Sequence, residues 1–194
     1  MFPAVFPVFC LGCNTFNEFL CDECAAGVKI ASTRFRDGFS FQVAFEYLGV
    51  MSSALSRLKA SNQFGYSKVL AKHLRECFDL DTEEKVVIPP STSQAFRKRG
   101  FVPSFEIAKF AGLNVTNNLK RIRQTADQQE LDSFQRQQNL DNAFQLSKPG
   151  RYLLFDDVIT TGATMREMIR ATEDGGGEVI GVLALCSTEA KGAN

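Results

Sequence analysis

The sequence predicts an α/β protein with a parallel, doubly wound sheet flanked by helices, and three observations carry that expectation. The apolar run 152–155 passes through DDVITTGAT into a segment with Met165, Met168, Ile169 and Thr172 on one helical face; after Gly175-Gly176-Gly177 a second apolar run, EVIGVLALC, follows. Strand, helix and strand at this spacing form a βαβ unit, whose crossover requires parallel strands with helices covering the sheet. A further short apolar run, EKVVIPP, is halted by Pro89-Pro90 as a buried strand would be. With 44% hydrophobic residues, 18 Phe and no Trp among 194 positions, the chain can bury one medium-sized core.

The elements follow in order. The start, MFPAVFPVFC, is apolar but short, carries two prolines and lacks the basic opening of a secretory signal. No apolar run is long enough to span a bilayer, so a cytoplasmic protein without membrane insertion is expected. The stretch CLGCNTFNEFLCDEC places Cys10, Cys13, Cys21 and Cys24 as two pairs, each separated by two residues. Four soft ligands on two short turns suit tetrahedral zinc in a closed, structural site, though rubredoxin-like iron would use the same four. In a reducing compartment a metal suits this pattern better than disulfides. Cys77 and Cys186 fall on apolar faces and are read as core residues. The expected division is a four-cysteine zinc module over residues 1–30 and the α/β domain over 31–194.

In TRFRDGFSFQVAFEY, Asp37-Gly38 is a hairpin turn signal, and Phe39, Phe41, Val43, Phe45 and Tyr47 alternate along one strand face. GYSKVLAKHLRECF brings Val69, Leu70, Leu74, Cys77 and Phe78 near helical spacing, which predicts an amphipathic helix. His73, the single histidine, sits on that helix and is expected to have no catalytic part. A helix is predicted after RGFVP, capped by Ser104 and ended by Gly112. Residues 119–145, polar and rich in Gln and Arg, predict a mobile loop or loosely packed helix rather than a core element.

Lysine plus arginine equals aspartate plus glutamate at 22 each, which excludes a global field drawing the chain to nucleic acid. An anionic partner must therefore be met by local clusters, of which FRKRG (Phe96–Gly100) and LKRIR (Leu119–Arg123) are the obvious two.

The stretch YLLFDDVITTGATM raises the functional question. The turn TTGAT places backbone N–H groups and hydroxyls at a helix N-terminus, an anion site best suited to phosphate, and Gly162 lets the backbone approach closely. Asp156 and Asp157 stand beside it at the carboxyl end of a parallel strand, where open α/β sheets bind ligands. Carboxylates there suit sugar hydroxyls or magnesium. The plain alternative is a helix capped by Thr160 with two solvated strand-end charges.

YLLFDDVITTGAT resembles the 5-phosphoribosyl-1-pyrophosphate (PRPP) motif of type I phosphoribosyltransferases. That resemblance implies that Asp156 and Asp157 are the catalytic-site pair holding the ribose 2′- and 3′-hydroxyls. It further implies that Thr160, Thr161, Gly162, Ala163 and Thr164 cradle the 5′-phosphate. Joined to a double CxxC, the motif is similar to the ComF family of competence-related proteins, including the members named GntX, over nearly the whole chain. ALSRLKASNQFGYSKVLAKHL resembles that family's leucine-lysine segment with its following helix, and VVIPPSTSQAFRKRGF its proline-bearing strand and Arg-Gly-Phe loop. Arg123, Thr125, Gln128, Leu131, Arg136, Asn139 and Phe144 follow its spacing. The chain departs from it at Ile88-Pro89-Pro90, where Pro-Val-Pro is common, and at Val102-Pro103, where Asn-Gln is usual.

The resemblance implies the phosphoribosyltransferase fold for residues 31–194, pyrophosphate binding by Arg97, Lys98 and Arg99, and a lid carrying Arg121, Arg123 and Arg136. It implies magnesium with PRPP, structural zinc, and phosphoribosyl transfer to an acceptor that the sequence does not identify. The competing expectations are a non-catalytic module binding PRPP or single-stranded DNA in natural transformation, the latter through Arg34 and Arg36 beside the zinc module, and a purely structural role docking competence proteins.

Overall fold

The computed structural model describes residues 9–16, 18–36, 38–60, 65–80, 83–123 and 140–188. In chain order they form α1 (Asp22–Ala26), β1 (Lys29–Arg36), β2 (Phe39–Glu46), α2 (Gly49–Ala60), α3 (Gly65–Cys77), β3 (Lys85–Val87), α4 (Ser93–Arg99) and α5 (Pro103–Phe110). There follow β4 (Asn114–Val115), β5 (Leu119–Arg121), β6 (Phe144–Leu146), β7 (Arg151–Ile159), α6 (Ala163–Asp174) and β8 (Glu178–Ser187). Six strands make one sheet in the order β1-β2-β8-β7-β3-β4, and β5 and β6 make a separate two-stranded sheet. Within the six-stranded sheet β2, β8, β7, β3 and β4 run parallel, and the β1–β2 pair is antiparallel.

The expected doubly wound architecture is therefore present, and burial explains why. The runs Tyr152 to Phe155 of β7 and Val182 to Cys186 of β8 are apolar because helices cover both faces. On one face Met51, Leu55 and Leu58 of α2, Leu70 and Leu74 of α3 and Ile107 of α5 pack with Phe45, Val86, Phe155 and Leu185. On the other, Met165 and Met168 of α6 pack with Phe41, Val43, Tyr152 and Leu154. Each fully buried side chain of this size contributes about 1.5–3 kcal/mol of transfer free energy. Phe39, Phe41 and Val43 are buried on the α6 face while Ser40 and Gln42 are exposed, but the expected alternation ends there: Ala44 and Phe45 are both buried and pack with the core on the other face. Asp37 of the predicted turn lies outside the described residues, as does the apolar start, Met1–Val8. Among the described residues no helix is long and apolar enough to cross a membrane.

Three local expectations need correction. The strand expected to stop at residue 155 runs through both aspartates to Ile159, because β8 is long enough to pair with it as far as Ser187. The ends of the 119–145 segment are core, not loop: β5 pairs antiparallel with β6, and Leu119 and Phe144 are buried. Finally, Ser104 does not cap its helix. Pro103 takes the first helical position, which its fixed φ favours, so Val102 is the N-cap and has no side-chain cap. The Ser104 hydroxyl is thereby released for another partner.

Candidate functional site

β3 ends at Val87, opposite Leu154, while β7 continues for five more residues. Beyond Leu154 β7 has lost its neighbour on that side, and a cavity of about 310 Å³ opens at the carboxyl ends of the parallel strands. β7 supplies Asp156 and Asp157, the following turn Thr160, the start of α6 Thr164, and the segment after β3 contributes Pro89 to Thr92. Arg99, Ser104, Arg121 and Lys59 complete the charged and polar lining.

The aspartates are buried, with 7% and 6% of their surface exposed, so they are not solvated strand-end charges. Asp156 Oδ1 accepts the Asp157 N–H at 2.8 Å and the Ser104 hydroxyl at 3.2 Å. Asp157 Oδ2 lies 2.8 Å from Lys59 Nζ, yet accepts no directed hydrogen bond. Burial, then the Asp157 charge, drives the Asp156 carboxyl well above the usual carboxylate range, against the pull of Lys59. Burial tends to lower the Lys59 pKa, but the facing Asp157 and then Asp156 outweigh it and raise it. The two carboxylates are thus unequal: one is held by neutral donors, the other faces an ammonium.

After β7 the chain turns through Gly162, whose φ of 83° is the left-handed conformation glycine accepts without strain. Gly162, not Thr160, is the N-cap of α6, and it offers no side-chain cap. The Ala163 N–H reaches Thr161 Oγ1 at 3.4 Å. The remaining first-turn N–H groups have no carbonyl one turn earlier to bond, an arrangement chemically suited to an anion.

The basic clusters divide. Arg97, Lys98 and Arg99 form the last turn of α4, where the helix dipole favours cations, and Thr92 Oγ1 caps the other end through the Ala95 N–H at 3.1 Å. Arg99 lines the main cavity. Arg97 lines an adjoining depression of about 370 Å³ with Arg121 and Arg123, and Lys98 borders neither. Arg121 is anchored: its Nε and Nη2 donate to the Pro90 carbonyl at 3.1 and 2.9 Å, and its guanidinium lies 4.9 Å from the Phe144 ring centre. Arg123 donates to the Asp141 carbonyl at 2.7 Å. Arg136, with Thr125, Gln128, Leu131 and Asn139, lies outside the described residues.

Among the cavity residues beyond the expected set, Lys59 and Ser104 are the two that contact the acidic pair. Lys59 belonged to a leucine-lysine resemblance without a role, and only the fold brings α2 to β7.

The four cysteines converge. Cys10, Cys13, Cys21 and Cys24 place their sulfurs within 4.8 Å of one another. Cys21 Sγ lies 3.6 Å from the sulfurs of both Cys10 and Cys13. Zinc–sulfur bonds of about 2.3 Å in a tetrahedron set sulfurs roughly 3.8 Å apart, so the donor set fits zinc, whereas a disulfide needs about 2.05 Å. Backbone N–H groups of Gly12 and Cys21 point at Cys10 Sγ, each at 3.4 Å. Burial opposes ionisation of Cys10, but the amides of Cys21, Cys13 and Gly12 bring its pKa down to about 6. The hydrogen bond to Cys21, with burial, pushes Cys24 up to about 12. Near this cluster, buried His73 faces Glu76 Oε2 at 2.9 Å and the Leu20 carbonyl at 3.4 Å, a structural placement. Arg34 pairs with Glu46 and donates to Ser187 Oγ at 3.0 Å, and Arg36 donates to the Thr188 carbonyl at 2.6 Å.

Residues 67–194, which carry β7 with its buried acidic pair and the helix start that follows, match the phosphoribosyl transferase domain. Competence protein F of Haemophilus influenzae is 30% identical over 157 residues, spanning 72% of this chain and 69% of that one. DNA utilization protein YhgH of Salmonella typhimurium is 29% identical over 158 residues, spanning 74% and 70%. Among solved structures, adenine phosphoribosyltransferase from Rhodothermus marinus aligns at 24% identity over 63% of this chain and 67% of that chain, with a TM-score of 0.36. The chain belongs to the ComF family of proteins with a phosphoribosyl transferase domain.

Proposed function

We propose that the cavity binds PRPP and that the protein transfers its phosphoribosyl group to an acceptor, releasing pyrophosphate. The observation that carries this reading is the buried acidic pair standing beside an uncapped helix start, at the point where β7 outruns β3. Asp156 and Asp157 accept the ribose hydroxyls. The α6 amides with Thr160, Thr161, Gly162, Ala163 and Thr164 hold the 5′-phosphate. Arg99 and Arg121 face the pyrophosphate from one side of the cavity, and Arg97 faces it from the adjoining depression.

When the C1–oxygen bond breaks, its electron pair leaves with pyrophosphate, and these guanidiniums stabilise the charge that develops. The acceptor then bonds to C1 and gives up its proton. Magnesium accompanying PRPP supplies further neutralisation of the pyrophosphate. Asp157 Oδ2, a buried oxygen without a directed hydrogen bond, fits a ribose hydroxyl or a magnesium-bound water equally. Zinc held by the four cysteines is structural, since four sulfurs leave no open coordination position. The relatives' names support a place for this reaction in DNA uptake or use, in the cytoplasm where PRPP and reduced cysteines occur together.

Direct contact between the zinc module and single-stranded DNA is disfavoured. Residues 9–28 carry Glu18, Asp22 and Glu23 and no lysine or arginine, and Arg34 and Arg36 are engaged along the sheet edge.

Calorimetric titration with magnesium and PRPP tests the reading. The wild type is expected to bind, and Asp157→Asn to lose about 10–100-fold in affinity, the worth of hydrogen bonds to a charged acceptor. Absence of wild-type binding would sink the proposal. Pyrophosphate release on adding nucleobase or amine acceptors separates transfer from ligand sensing.

A further inference from the structure

The matched domain begins at residue 67, yet one side of the cavity comes from an earlier helix. Lys59, next to last in α2, reaches Asp157 Oδ2 at 2.8 Å and keeps 31% of its side chain open to the cavity. Two features separate this contact from an ordinary structural ion pair. The carboxylate it meets is one of two adjacent buried acids, whose mutual repulsion the ammonium offsets. The contact also leaves Asp157 Oδ2 without a directed hydrogen bond, so that oxygen retains accepting capacity for a ligand.

We propose that Lys59 is a positioning residue of the ribose site, aiming the Asp157 carboxylate so that recognition of the ribose hydroxyls depends on a helix outside the matched domain. The inference rests on the PRPP reading of the cavity. It assigns the residues before position 67 a part in ligand recognition as well as in folding. A neutral side chain at position 59 removes the ammonium that orients Asp157 Oδ2, and the hydroxyls lose their aligned partner. The phosphate cradle on α6 is built from backbone and hydroxyl groups of residues 160–164 and does not depend on Lys59.

The test compares ribose 5-phosphate with 2-deoxyribose 5-phosphate and 3-deoxyribose 5-phosphate, with inorganic phosphate as the probe of the cradle alone. The proteins are the full chain, Lys59→Met and Lys59→Arg. The wild type is expected to prefer ribose 5-phosphate over at least one deoxy analogue by about tenfold or more, because a site built to meet a hydroxyl rejects the ligand lacking it. Lys59→Met should reduce that preference to within about twofold while inorganic phosphate binds as in the wild type. Lys59→Arg, which keeps the charge, should recover most of it. If Lys59→Met fails to fold, Lys59→Gln, with a polar stem and no charge, carries the same expectation. Full preference in the neutral variant overturns the inference. So does an equal loss for every ligand, phosphate included, which marks a purely structural role. Wild-type binding of PRPP with no preference for ribose over both deoxy analogues overturns this inference alone, whereas no binding of PRPP overturns the functional proposal with it.

Discussion

Replacing Glu167 with alanine is expected to lower the unfolding free energy by about 3 kcal/mol. The carboxylate is 5% exposed. Its Oε1 accepts the Phe144 N–H at 2.9 Å and Arg170 Nη2 at 2.8 Å, and its Oε2 accepts Arg170 Nε at 2.7 Å. Arg170 Nη2 in turn donates to the Phe144 carbonyl at 3.0 Å. Both backbone groups of one β6 residue are thus tied to the same turn of α6. Alanine strands a buried N–H, at roughly 1–3 kcal/mol, and removes the anchor of an arginine that is about a third exposed, so the ion-pair part counts only modestly. Thermal unfolding should show a midpoint about 6–12 °C lower. Asp174→Ala, which removes only an exposed partner of Arg170, should change stability by less than about 0.5 kcal/mol. A loss below about 1 kcal/mol for Glu167→Ala would show that Phe144 finds other partners. The brace also bears on the site. β6 pairs with β5, and β5 carries Arg121 into the cavity, so the variant should weaken PRPP binding beyond its effect on the fold.

This brace shows why the sequence told less about the two-stranded sheet than about the main one. The βαβ unit is legible because its pattern is local: apolar strand, helical stripe, glycine stop, apolar strand. β5 and β6 meet across a long polar segment whose composition points to a loop, and three-residue strands carry almost no periodic signal. α2 is a different case. Met51, Ala54, Leu55 and Leu58 recur at the helical interval and are buried together, so that signal was available. Ser104 shows one local rule overriding another: a serine before a helix suggests a cap, but Pro103 draws the helix start back by a residue and turns the hydroxyl to Asp156. The acidic pair could be read as ligand-facing from its neighbours in sequence. Its inequality could not, because Lys59 and Ser104 arrive from separate helices on tertiary packing alone.

Gly12→Ala should weaken metal binding by about 10–100-fold although all four cysteines remain, the range seen when groups that orient metal ligands are disturbed. A methyl carbon at position 12 would stand 2.5 Å from Cys24 Sγ and 3.0 Å from its Cβ. The sulfur must move, and in a closed tetrahedral set one displaced ligand loses both bond length and angle. Gly27→Ala is the matched control. Its backbone is right-handed helical, and its nearest neighbours to an added methyl are carbonyl oxygens at 3.6 and 3.7 Å, so zinc affinity should stay within about twofold. Competition with a chromophoric chelator measures both, and cobalt in place of zinc reports four-sulfur tetrahedral coordination by its absorption. Equal affinities for Gly12→Ala and wild type would mean that the cysteines do not close on one ion. The consequence extends past the module, because Cys10, Leu20 and Ala25 share a core with α2 and α3. Loss of the metal should therefore loosen the packing under α2, which carries Lys59 to Asp157, and weaken ribose 5-phosphate binding at a site none of the cysteines lines.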